Sequence, residues 1–173
     1  MKITKRPLLP ALLATALLGS VSAEAANKNN GAWIEKGDDF RGVAMPIDGD
    51  SLYIETDKGR VEVRLYGIGA PEYDTPFGPF ATRLLHRLSF GKEVVCTDTG
   101  GRTHYRIVAR CKTADISADL GGVMIQEGAA TPYRSYLYRG DRDVRDLYFR
   151  LEGIACNNKR GLWQNRPDGI CGD

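Results

Sequence analysis

Four residues in the first half of the chain have the types and order that phosphate chemistry needs. In "IDGDSL", Asp48 and Asp50 flank a glycine and present two carboxylates on a tight turn. Such oxygens suit a hard cation such as calcium, although an Asp-Gly turn alone also accounts for them. In "VRLYGIGAPE", Arg64 and Glu72 stand eight residues apart. An arginine fork matches phosphate oxygens better than a lysine point charge, and a glutamate can orient or deprotonate a water. Phosphodiester hydrolysis needs charge stabilisation at phosphorus, an activated water and a Lewis acid on a phosphoryl oxygen. Taken singly, Arg64 reads as a solvated strand residue and Glu72 as a loop charge. The set together points to chemistry.

The surrounding pattern supplies elements to position them. "SLYIET" and "RVEVRLYG" alternate with period two, placing Leu52, Ile54, Val61, Val63 and Leu65 on one face. "DKG" between them reads as a turn, so the pair forms a hairpin with Glu55, Glu62 and Arg64 facing outward. "FGPFATRLLHRLSFG" carries Phe80, Leu84, Leu85 and Leu88 at helical spacing. "KEVVCTDT" and "HYRIVARCKT" read as a second strand pair, and "ADLGGVMIQEGAA" as a short helix. "RDVRDLYFRLEGIACNNKRGLW" reads as the longest helix, with Val144, Leu147, Leu151 and Ile154 on its apolar stripe. Strands first and in the middle, with helices between and after, predict an α+β protein. The expected architecture is a five-stranded barrel of the oligonucleotide/oligosaccharide-binding (OB) type, capped by about three helices.

The 173 residues suit one domain plus an extension. Residues 1–25 have a basic start, an apolar run of about 15 residues and an Ala-x-Ala site, the pattern of a cleaved secretory signal; a membrane-spanning helix needs about 20. The expected location is therefore periplasmic or secreted, with no stable membrane insertion after cleavage. Residues 26–43 are polar and Gly/Asn-rich and read as a leader, with the domain over 44–173. Four cysteines in an oxidising compartment favour disulfides, and proximity pairs Cys96 with Cys111 and Cys156 with Cys171, the latter holding the tail. The two histidines, His86 and His104, lack zinc-ligand spacing, and no C-x-x-C is present. Losing Lys2, Lys5, Arg6 and Glu24 with the signal leaves 21 basic and 21 acidic residues. That balance excludes a global basic field for nucleic acid and leaves a local site as the means of binding.

The order "DGDSL", "VRLYGIGAPE", "PFG" with a helix, "YRIVARC" and "GLW" resembles the staphylococcal-nuclease (thermonuclease) family from about Asp48 to Trp163. The resemblance implies the same barrel and calcium-dependent cleavage of DNA and RNA phosphodiesters; a monomer is the expected state. It implies Asp50 as a calcium ligand supported by Asp48, with a main-chain oxygen of Ala70 on the metal. Arg64 would bind the phosphate and Glu72 would act on the water. The family's second arginine falls on Arg106, with Arg102 as the competitor. Tyr133 and Tyr136 fall where the family stacks aromatics on a nucleotide. The chief departure is Gly69, where the family's "GIDAPE" has an aspartate. A lost carboxylate weakens calcium or leaves room for other divalent ions. The alternative is a catalytically degenerate barrel that binds single-stranded nucleic acid or an oligosaccharide.

Overall fold

The computed structural model describes residues 31–165. Five strands close a barrel: β1 (Asp39–Pro46), β2 (Ser51–Thr56), β3 (Gly59–Leu65), β5 (Glu93–Thr103) and β6 (Arg106–Thr113). Their order is β1-β2-β3-β6-β5, with β3 and β6 parallel and the other neighbours antiparallel. A two-residue β4 (Ile68–Gly69) pairs with β7 (Thr131–Pro132) beside the barrel. Helices α1 (Gly78–Ser89), α2 (Leu120–Gln126) and α4 (Arg142–Asn157) cap it, joined by the one-turn α3 (Arg134–Leu137). This is the expected α+β, OB-type barrel.

The β2–β3 hairpin forms as its alternation requires, with Leu52, Ile54, Val61, Val63 and Leu65 sealed in the core. Two readings are corrected. Residues 39–43, read as leader, form the first half of β1, and Ile34 and Phe40 are already in the core. The buried face of α4 is Val144, Tyr148, Glu152 and Ala155, while Leu147 and Ile154 face solvent. Polar pairing explains the turn of this helix. Tyr148 donates a hydrogen bond to Asp119, the residue whose side chain caps α2, and buried Glu152 is ion-paired with Arg134 at 2.8 Å. Buried polar groups are retained when they are partnered in this way.

Cys96 and Cys111 are direct cross-strand partners on β5 and β6 and form a disulfide. The second expected pair includes Cys171, which lies outside the described residues, as does the signal segment 1–25. Among the described residues no helix is long and apolar enough to cross a membrane.

Candidate active site

One end of the barrel gathers the chemistry. The turn from β1 into β2 carries Asp48 and Asp50, β3 carries Arg64 one residue before its end, and β6 begins with Arg106. The register sets Ser51 opposite Arg64 and Arg64 beside Val108, which brings the start of β2, the end of β3 and the start of β6 together.

Asp50 is the buried centre of this cluster. Its Oδ1 lies 2.6 Å from the Arg64 guanidinium and accepts the Ser51 hydroxyl at 3.0 Å. Its Oδ2 accepts the Ala70 N–H at 2.9 Å. Arg64 also donates to the Ile68 carbonyl at 3.3 Å, so its fork is held across the start of the following loop. Arg106 donates to the Ser51 Oγ at 3.0 Å and thereby joins the same network through one hydroxyl. Asp48 accepts the Asp50 N–H at 2.9 Å, which shapes the turn.

Two glycines make the geometry possible by close approach. A Cβ on Gly49 would lie 2.6 Å from the Ala70 Cβ and 2.7 Å from the Ala81 Cβ, so the turn nests against the loop and α1. A Cβ on Gly78 would meet the Glu72 carbonyl at 1.9 Å. The glycine of "PFG" therefore lets the start of α1 press against the Glu72 loop. Thr75 completes the brace, its N–H and hydroxyl both donating to the Glu72 carbonyl, at 2.9 and 2.7 Å. The Glu72 side chain is exposed, with no hydrogen bond or ion pair among the described residues. It is free to take a water.

Beside Arg64 opens a cavity of about 210 Å³ whose other walls include Tyr133, Tyr136, Thr103 and Val108. Tyr133 is exposed, whereas Tyr136 is half-buried and packs edge-on against Tyr66. An arginine and two aromatic rings around one cavity can hold a phosphate and a base together. Arg102, the competitor for the second arginine, points elsewhere. It is spent on buried Asp98, at 2.8 and 3.0 Å, and on the Ile34 carbonyl. Ser51 is the member that sequence reasoning missed; its signal was the hydroxyl position of "DGDSL", next to the carboxylate it serves.

Burial pushes the Asp50 carboxyl up to about 6, more than the Ala70 N–H and Arg64 pull it down. Its folded pKa thus exceeds the unfolded value of 3.8, so the folded state binds more protons between those values. The contribution of Asp50 to stability is therefore fully present below about pH 4 and is lost as pH rises from about 4 to 6, a change of about 2–3 kcal/mol from this group. Asp50→Asn should remove this component. Denaturant unfolding at pH 4 and pH 7 checks it, because wild type should lose that amount relative to the variant.

The calcium that the resemblance implies needs several oxygen ligands around one point. Among the described residues no group of three or more His, Cys, Asp or Glu side chains surrounds a point that could hold a metal ion. Asp50 and Asp48 are the carboxylates at the turn, and Gly69 brings none, yet a Cβ at Gly69 would meet nothing within 4 Å. The residues fit an ion held through one buried carboxylate and completed by water, not a cage with several charged ligands.

Residues 62–165 match the staphylococcal nuclease homologue family. A "Micrococcal nuclease" of Shigella flexneri is 33% identical over 135 residues, covering 73% of this chain and 75% of the relative. "Protein ParB" of Escherichia coli is 32% identical over 142 residues, covering 78% and 76%. An "Uncharacterized endonuclease" of Escherichia coli is 28% identical over 123 residues, covering 71% and 76%. The chain belongs to the staphylococcal nuclease family.

Proposed function

We propose that the protein is an exported, monomeric nuclease that hydrolyses phosphodiester bonds of DNA or RNA, with a weakened divalent-cation site. The observation that carries this reading is the network in which Arg64, Asp50, Ser51 and Arg106 converge next to the tyrosine-walled cavity. The nuclease names of its relatives support the substrate class. The signal pattern of residues 1–25 supports export to the periplasm or beyond.

Each residue has a task. Arg64 and Arg106 bind the phosphate oxygens and stabilise the charge that grows on them as the bond to the incoming water forms and an ester P–O bond breaks. Glu72 orients that water and takes its proton. Asp50 fixes the Arg64 fork and, with the Ala70 carbonyl and Asp48 in support, would hold a divalent cation. When bound, that ion supplies Lewis-acid polarisation of a phosphoryl oxygen. Tyr133 and Tyr136 hold the base that flanks the cut.

Gly69 explains why the cation site is weak and supplies the test. Gly69→Asp adds a carboxylate at a position with open space, and calcium affinity follows ligand charge and count. The expected result is an increase in calcium affinity of about tenfold or more by calorimetric titration, with a faster rate on single-stranded DNA at limiting calcium. Unchanged affinity and rate would show that position 69 does not face the cation.

A further inference from the structure

A second cavity, of about 270 Å³, opens on the outward side of β5 and β6, and the nuclease chemistry does not use it. Its walls include Arg110, Lys112, Thr97, Ser117 and Asp119. Arg110 is unusual here: its Nε is buried and has no hydrogen-bond partner. Other arginines meet carboxylates, as Arg102 does at Asp98 and Arg134 at Glu152. A buried charged donor without an acceptor carries a desolvation cost that an incoming oxyanion would relieve.

The acids nearby are already engaged. Asp119 accepts the Gly122 N–H at 3.1 Å and the Tyr148 hydroxyl, and Asp39 accepts the Thr97 hydroxyl at 2.5 Å. Neither forms a close ion pair with Arg110 or Lys112 among the described residues, although the Arg110 charge acts on the Asp119 carboxyl, which burial pushes up toward its neutral form. Strand register adds a third cation. Arg41 and Lys112 both pair with Val95, so the two basic residues flank it across the sheet.

We propose that this cavity is a second phosphate-binding site, in which the Arg110 guanidinium, the Lys112 ammonium and the Ser117 hydroxyl receive one phosphate group. Arg106 and Arg110 are four residues apart on one strand, hence on the same face and separated by about 13 Å along it. A single nucleic-acid strand spans that distance within the site size of one OB barrel. A strand held in the cleft therefore reaches the second site. The choice of a nucleic-acid phosphate over a free one rests on the nuclease reading; the site itself does not.

The test follows the Arg110 Nε–H signal by NMR in the Glu72→Gln protein, which removes the proposed general base so that titrated strands stay intact. Inorganic phosphate, acetate at matched ionic strength and a single-stranded oligothymidylate are titrated separately. Phosphate should move the signal along a saturating curve, and Arg110→Gln should weaken oligothymidylate binding about three- to tenfold. Exposed Lys112→Gln, which leaves the Arg110 signal in place, should weaken it less and serves if the Arg110 variant misfolds. A response to phosphate but not to oligothymidylate supports the site and assigns it to free phosphate. No response to either, or an equal response to acetate, overturns the proposal, whether or not the protein cleaves DNA.

Discussion

Arg64→Gln lowers kcat/KM on single-stranded DNA by about a hundred- to a thousandfold, the scale for loss of one donor to a developing oxyanion. Two effects add. The variant loses the fork proposed to meet the phosphate, and it strips buried Asp50 of the cation 2.6 Å from its Oδ1. An unpaired buried carboxylate is costly, so Asp50 shifts further toward its protonated form and becomes poorer in the ligand role proposed for it. The Arg64 side chain is 27% exposed, which discounts the stability loss to about 1–3 kcal/mol. Arg64→Lys separates the two roles. A lysine restores a charge beside Asp50 but not the fork, so stability should recover more than rate does. Steady-state kinetics beside thermal unfolding measures both, and equal recovery of the two would contradict this division.

Glu72→Gln is the cleaner case, because its side chain carries no structural duty. Only the Glu72 main-chain carbonyl is used by Thr75 and pressed by Gly78. The variant should unfold within about 0.5 kcal/mol of wild type while kcat falls about a hundred- to ten-thousandfold. KM should change little, since the role proposed for Glu72 is on the water and not on the bound phosphate. A large KM change with preserved kcat would move Glu72 from the reacting water to substrate binding.

The chemistry-bearing hairpin was legible because its alternation is clean: every inward residue of β2 and β3 is a large aliphatic. β1 was not, because "DFRGVAMP" inverts the rule. Its inward positions include Phe40 and the small Ala44, while Val43 and Met45 are exposed. Small inward residues at a tightly closed barrel hide the period. On α4, a stripe chosen by hydrophobicity selects Leu147 and Ile154, yet the buried face includes Tyr148 and Glu152, whose partners come from distant segments. Such pairing is invisible until the chain is folded. In the site, Asp50, Arg64 and Arg106 follow from motif order, and the structure joins them. Ser51 as their bridge, and Arg102 as a residue occupied elsewhere, depend on strand register. The cavity shared by Arg64 with Tyr133 and Tyr136 likewise exists only through the loop that pairs β4 with β7.

Whether this site still cuts decides between a nuclease and a binding barrel. The most direct measurement is the initial rate of single-stranded DNA cleavage by the purified wild-type protein, with calcium present and then with chelator in excess. The prediction is a measurable rate with the ion and its loss on chelation. DNA left intact with calcium, magnesium and manganese alike, while the protein still binds the strand, would contradict it and leave a barrel that holds nucleic acid without hydrolysing it.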